Sequence, residues 1–267
     1  MLKQRVITAL VLVVVLAWAD FFWSSVYFSA LILLVALAAA YEWSALQGLN
    51  GALRWSAALA LTALSGVAVF ALDSAALRLL SGIVLAVWVA LVVWLFRIDR
   101  TAAVLTPQPW RGLLAVVLLP TVSALLVALH AVGPWLLLYV LAIAWSADIG
   151  AYFVGKRFGH RKLAPNVSPG KSIEGFVGGL VCALLLALLS LAVFDAASAS
   201  PGSWIAASVV AAVLSVAGDL FESTLKRAAQ VKDSGRILPG HGGVLDRVDS
   251  LLAAVPAFVA LAPAVLR

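Results

Sequence analysis

The sequence predicts an all-α integral membrane protein: a bundle of about nine transmembrane helices with its N-terminus in the cytoplasm. Three observations carry that prediction. The first is composition. Of 267 residues, 64% are hydrophobic and 11% are charged, and the mean hydropathy is +1.12. An average soluble domain is about 45–50% apolar and about 25% charged, so a water-soluble globule of this size could not hide so much apolar side chain. Disorder is excluded too, because it needs low hydrophobicity and high charge. The second observation is that the apolar stretches are continuous, not alternating, which favours helices over a membrane β-barrel. The third is the placement of charge, taken up below. The single cysteine, Cys182, excludes an internal disulfide and argues against a cysteine-based metal centre.

A spanning helix needs about 20 apolar residues, so nine would use roughly 180 residues, near the limit for this length. The candidates fall in order. The stretch 6–23 follows Lys3 and Arg5 and contains Asp20 near its end. Its basic start and Ala17-Trp18-Ala19 also fit a cleavable signal peptide, whose removal leaves eight spans. Next come 26–41, 54–72 and 77–96, with Glu42, Asp73 and Asp99 at or just beyond their ends, where solvation explains an acid. The stretches 112–132 and 134–154 follow, then 173–194 with Asp195 beyond it, 204–225 and 250–266. The longest polar connections are 155–172 and 226–249, and no soluble domain fits between the helices. The chain thus divides into residues 1–133, helices expected to pack the bundle, and 134–267, helices joined by the two long polar loops. The ten tryptophans are expected as interfacial anchors, and His130 as a buried helix residue without a partner.

With the N-terminus inside and nine spans, every basic residue except Arg78 and Arg267 falls on the cytoplasmic side, 16 of 18. That asymmetry supports both the count and the orientation. The net charge of +6 therefore points to positive-inside topology and anionic phosphate or lipid ligands, not to nucleic acid. It also places both polar loops on one face.

Seven acids lie in or beside those last cytoplasmic loops: Asp148, Glu174, Asp219, Glu222, Asp233, Asp246 and Asp249. Asp148 and Asp219 are inside apolar segments, where a charge costs about 2.5–3.5 kcal/mol on insertion scales and usually faces a wet cavity, a partner or a metal. A structural ion pair within the bundle is the competing explanation. Asp219, Glu222, Ser223, Lys226 and Arg227 form one polar stripe at helical spacing on an otherwise apolar helix. Beyond it stand Lys232-Asp233-Ser234-Gly235, then Pro239-Gly240-His241-Gly242-Gly243, then Asp246-Arg247-Val248-Asp249. Glycines at 240, 242 and 243 would let backbone N–H groups approach an anion, although any flexible turn is also glycine-rich. Asp246 and Asp249 are three apart and face one way on a helical turn. Paired carboxylates beside clustered Lys and Arg suit a magnesium-bound polyphosphate.

The other loop repeats the theme with Asp148-Ile149-Gly150-Ala151-Tyr152 and Ser168-Pro169-Gly170-Lys171-Ser172-Ile173-Glu174-Gly175. Gly170-Lys171-Ser172 is similar to the end of a P-loop, but Pro165 stands where its first glycine would be and no strand is predicted before it. Gly155/Gly159 and Gly175/Gly179 have small-xxx-small spacing; the second pair suits close helix packing or a homodimer.

Ser223 to Asp249 closely resembles the C-terminal motif of the phosphatidate cytidylyltransferases, also called CDP-diacylglycerol synthases. Ser223, Leu225, Lys226, Arg227, Lys232, Asp233, Gly235, Leu238, Pro239, His241, Gly242, Gly243, Asp246, Arg247 and Asp249 all match without a gap. The segments from Asp148 and from Ser168 resemble the family's upstream motifs, with Ser172 where threonine is common. The motif resemblance covers 148–249; the earlier helices match only in hydropathy. It implies an enzyme of the bacterial inner membrane that joins CTP and phosphatidic acid into CDP-diacylglycerol and pyrophosphate. It further implies Mg2+, with a second cation left open, and a possible homodimer. On this reading Asp219, Asp246 and Asp249 are the metal candidates, and Lys226, Arg227, Lys232 and Arg247 grip the phosphates. Asp148, Ser168, Lys171 and Glu174 complete the substrate site from the other loop, with Ser223, Asp233, His241, Gly242 and Gly243 lining it. A CTP-dependent lipid kinase is the nearest alternative, and the 27-residue match argues against it. A transporter is the alternative from another class, but it should show informative polar motifs in both halves, and the first half has none.

Overall fold

A computed structural model describes residues 2–101, 109–194, 200–238, 240 and 242–266. Ten helices dominate it: α1 (Leu2–Phe22), α2 (Ser25–Leu46), α3 (Gly51–Ala71), α4 (Ser74–Thr101), α5 (Trp110–Val132), α6 (Pro134–Phe158), α7 (Ile173–Ser190), α8 (Pro201–Ala228), α9 (Leu245–Val248) and α10 (Leu251–Leu261). Seven of them, α2 to α8, are long and apolar enough to cross a membrane. Their outward faces carry large apolar side chains such as Leu59, Phe70, Val89 and Leu185, the pattern of helices solvated by lipid. The chain is an integral membrane protein on these grounds.

The nine expected segments exceed this count at both ends: among the described residues, the first, 6–23, is represented by the shorter apolar stretch Leu10–Phe22 of α1, and the last by α10. Helix α10 has 11 residues, about 16 Å at 1.5 Å per residue, too short to span a bilayer core of about 30 Å. It is instead buried on every side, Ala253 to Val259 without a gap, so its uniform hydrophobicity reflects the bundle interior. It packs against α8, α4 and α5. The Trp88 indole N–H donates to the Leu252 carbonyl at 2.9 Å, tying the N-terminal helices to the last one. Trp43, Trp88 and Trp204 are core residues, not interfacial anchors, while Trp18, Trp55 and Trp135 remain on the outside.

Helices α6 and α7 form the closest pair. Glycine makes this possible. A Cβ at Gly175 would stand 2.8 Å from the Ala151 carbonyl oxygen, and one at Gly150 would stand 2.6 Å from Cys182 Sγ. The small-xxx-small glycines are thus used inside the chain. Between these helices lies an antiparallel hairpin absent from the all-α expectation: β1 (Lys162–Ala164) and β2 (Ser168–Ser172), with Lys162 opposite Ser172 and an irregularity in register. Gly170-Lys171-Ser172 is therefore extended strand, with β1 before it, and not the phosphate loop of a P-loop.

At the end of the bundle where α1 and α5 finish, His130 Nδ1 and Asp20 Oδ1 are 2.9 Å apart and both buried. Phe28 stacks on the imidazole with centroids 4.1 Å apart. His130, expected without a partner, therefore has one, and Asp20, near the end of the first apolar stretch, is paired rather than solvated.

Candidate active site

Helix α8 carries the polar stripe at its C-terminal end. Gln230 then takes a left-handed conformation with φ 57°, and the loop 231–244 turns back along the helix. The return is possible because of Gly218. A side chain there would strike the Asp249 carbonyl and come within 3.1 Å of Ser250 Cα. In the loop, Gly242 takes φ +82°, which a side chain disfavours, and accepts the Leu238 N–H at 3.0 Å.

Asp246 and Asp249 consequently meet the α8 stripe. Lys226 Nζ donates to Glu222 Oε2 and, at 2.7 Å, to Asp246 Oδ1. Asp246 Oδ2 accepts the Gly243 N–H at 2.8 Å, the Ser234 N–H at 2.9 Å and the Ser234 hydroxyl at 3.0 Å. Burial pushes its carboxyl upward, but the Lys226 ammonium and the Gly243 and Ser234 N–H groups outweigh burial and hold it below the usual carboxylate value. Asp249 is the opposite case. Burial, with the Asp219 carboxylate adding to it, pushes its carboxyl up to about 7.

Asp219, Glu222 and Asp249 each bring one carboxylate oxygen within 4.8 Å of the others, the grouping a cation would need. Glu222 Oε1 is buried without a hydrogen-bond partner among the described residues. A buried carboxylate oxygen facing other carboxylates is costly unless something positive meets it. Three hard oxygen donors suit a divalent cation of the magnesium kind. The expected set was Asp219, Asp246 and Asp249. The structure puts Glu222 in the cluster and engages both oxygens of Asp246 with Lys226 and the loop.

The hairpin closes the site from the other side. Lys171 on β2 reaches Asp219 Oδ2 at 2.7 Å. Ser172 caps α7 by accepting the Gly175 N–H at 3.1 Å. Glu174 accepts the His160 and Arg161 N–H groups at 3.0 and 3.2 Å and pairs with Arg161 Nε at 3.0 Å, so it anchors the hairpin rather than facing the cluster. Arg227 Nε makes a long 3.4 Å contact to the Val167 carbonyl, linking α8 to the same hairpin. Asp148 is accessible on α6, close enough to Lys171, Asp219 and Arg247 to feel their charge. Ser223 Oγ lies 3.4 Å from Asp219 Oδ1, and Ser168 is half-buried at the start of β2. Lys232, Asp233 and Arg247 are exposed around the rim. His241 lies outside the described residues.

Two charged residues near this end were not singled out in the sequence. Glu42 sits where the first apolar stretch after the turn ends, yet α2 runs on to Leu46 and buries it at 1% exposure. Its carboxylate accepts three hydrogen bonds from the motif loop. Arg111, counted among loop cations, is equally buried. It donates to the Thr224 carbonyl at 3.3 Å and lies over the Trp94 ring at 5.1 Å. A lone acid or base at the edge of an apolar run is the only signal the sequence holds for either.

A membrane bundle with carboxylates, ammonium groups and a glycine loop converging at one end defines a class: integral membrane enzymes acting on phosphate-bearing substrates. Within it, the chain belongs to the cytidylyltransferase family, whose model matches residues 3–264. It is similar to a phosphatidate cytidylyltransferase of Pseudomonas aeruginosa, 42% identical over 289 aligned residues that cover 98% of this chain and 97% of the relative. The phosphatidate cytidylyltransferase of Haemophilus influenzae is 38% identical over 285 residues, 97% of each chain. That of Bacillus subtilis is 51% identical over 121 residues, 44% of each.

Proposed function

We propose that this protein transfers CMP from CTP to phosphatidic acid, leaving CDP-diacylglycerol in the membrane and releasing pyrophosphate. The observation that carries this reading is the open carboxylate cluster of Asp219, Glu222 and Asp249 walled by Lys226 and Lys171 at a membrane helix end. Near-full-length similarity to two phosphatidate cytidylyltransferases supports it.

The chemistry needs positioning more than a base. A phosphomonoester has its second pKa near 6, so the lipid phosphate is already a largely ionised nucleophile at pH 7. Its oxygen bonds to the α-phosphorus of CTP while the bond from that phosphorus to the β-phosphate bridging oxygen breaks, and pyrophosphate carries the electron pair away. Lys232, Arg227 and Arg247 hold the triphosphate and the leaving pyrophosphate, with the Gly242 turn of the loop alongside. Lys226 keeps Asp246 ionised and the loop in register. Lys171 and Asp148 face the lipid phosphate from the hairpin side, with Ser168, Ser223 and Asp233 at the edges. A magnesium ion held by Asp219, Glu222 and Asp249 would neutralise triphosphate charge and polarise the α-phosphate. Both polar loops, two spans apart, lie on the cytoplasmic side of a bacterial inner membrane, where CTP is available.

The test supplies CTP labelled at the α-phosphate, phosphatidic acid and magnesium to purified protein in detergent. Label entering the lipid is the expected result. Label retained in water-soluble CDP, with unlabelled phosphate gained by the lipid, identifies a kinase instead. For orientation, a cysteine placed at Lys232 in a Cys182→Ser background should react with an impermeant maleimide only in inside-out vesicles.

A further inference from the structure

We infer that Glu42, on α2 and far from every motif in sequence, is a positioning residue that moors the catalytic loop to the N-terminal helices. The inference rests on the proposed reaction for its kinetic arm only. Glu42 Oε2 accepts the Leu245 N–H at 2.8 Å and the Ser234 hydroxyl at 2.9 Å, and Oε1 accepts the Val244 N–H at 3.1 Å. The loop is moulded to this one carboxylate. A Cβ at Gly235 would lie 2.6 Å from Glu42 Cδ and 3.0 Å from Cγ, and one at Gly243 would also lie 2.6 Å from Cδ. Both glycines are therefore needed for the approach to Glu42, whatever else they do for a ligand.

The mooring continues into the site. The Ser234 hydroxyl stands 3.0 Å from Asp246 Oδ2 as well, and its single proton serves one carboxylate at a time. Asp246 in turn holds Lys226, which holds Glu222. The loop's remaining backbone ties run within itself or to its own flanks: Val231 N–H to the Lys226 carbonyl, Leu238 N–H to Gly242, and Gly243 N–H to Asp246. Glu42 thus reaches this loop from the N-terminal half, 202 positions from Val244 in sequence. Removing it leaves the Val244 and Leu245 N–H groups without their acceptor, leaves the Ser234 hydroxyl to Asp246 alone, and frees the segment bearing Lys232 and Arg247.

The test uses Glu42→Gln, Glu42→Ala and Gly235→Ala in full-length protein in detergent. The amide introduced by Glu42→Gln accepts one N–H and opposes the other donors. Outer-shell partners of this kind cost about 10–100-fold when removed, and here KM for CTP should carry most of the loss while KM for phosphatidic acid stays put. Without substrates, amide hydrogen exchange over 231–249 should quicken about tenfold or more as the Val244 and Leu245 N–H groups lose their acceptor, while 112–132 is unchanged. Gly235→Ala should mimic both effects in wild type and add little on top of Glu42→Ala, because its methyl then has space. Gly235→Ala keeps the carboxylate, so it stands as the test if Glu42→Ala does not fold. Unchanged loop exchange in Glu42→Gln and Gly235→Ala overturns the inference, as does exchange that quickens equally through the whole bundle. Exchange confined to the loop in a wild type that never labels lipid would instead sink the reaction and keep the mooring.

Discussion

Asp20 and His130 are buried at one end of the bundle; Asp219, Glu222, Asp246, Asp249, Lys171 and Lys226 gather at the other. The first group closes on itself: one acid meets one base at 2.9 Å, roofed by Phe28. The second does not close. Four carboxylates face two ammonium groups, and Glu222 Oε1 has no partner among the described residues. Once all four are ionised, they carry two more charges than the two ammonium groups, the complement of one divalent cation. A buried pair that balances internally serves stability at best. A buried cluster that balances only with something added is built to receive it.

The sharpest way to break this contrast is at the open end. Glu222→Gln and Asp249→Asn should each lower turnover by roughly 100- to 1,000-fold while the protein stays folded, a loss typical of removing one preorganised electrostatic group. Asp246→Asn should do the same by loosening Lys226 and the loop. Near-full activity in Glu222→Gln would return the metal set to the one expected from sequence. Lys226→Met comes next. It leaves Glu222 and Asp246 facing each other uncompensated, and should destabilise by about 3–5 kcal/mol, visible as a lower thermal midpoint in detergent.

The closed end should behave differently. Asp20→Asn or His130→Leu should cost about 1–3 kcal/mol of stability, yet leave kcat and both KM values of the folded enzyme near wild type. A specific loss of CTP binding in either variant would erase the distinction between the two ends. The smallest effect concerns pH. Asp249, raised by burial to about 7, holds its proton in the folded chain at pH values where the unfolded chain, with its ordinary 3.8, has lost it. Metal-free protein should therefore gain stability on acidification from 7 towards 4 and lose it as pH rises through that window. Magnesium must displace the same proton, so its affinity should rise with pH, up to about tenfold per unit below 7. Thermal midpoints with and without magnesium at pH 6 and 8 read both signs at once.

Much of the open, carboxylate-rich site was legible because its residues are close in sequence. Asp219 to Arg227 share a helix face by spacing alone, and Asp246 and Asp249 share a turn. Glu222 stood visibly in the stripe, but its choice over Asp246 as cluster member depends on which carboxylate the loop amides capture. The hairpin 162–172 was not legible: its strands have three and five residues and no apolar alternation. Helix α10 read as a span because hydrophobicity cannot tell lipid from protein interior.

Composition, apolar run length and charge placement, each local or additive along the chain, were enough to determine a membrane-embedded helical protein and to mark the residues around Asp219 and Asp246. The Asp20–His130 pair, separated by 110 positions, and the Glu42 mooring, 202 positions from Val244, were decided only by the tertiary structure. Both depend on which helix ends meet, and that is set by packing of whole apolar faces, which no single window of sequence contains.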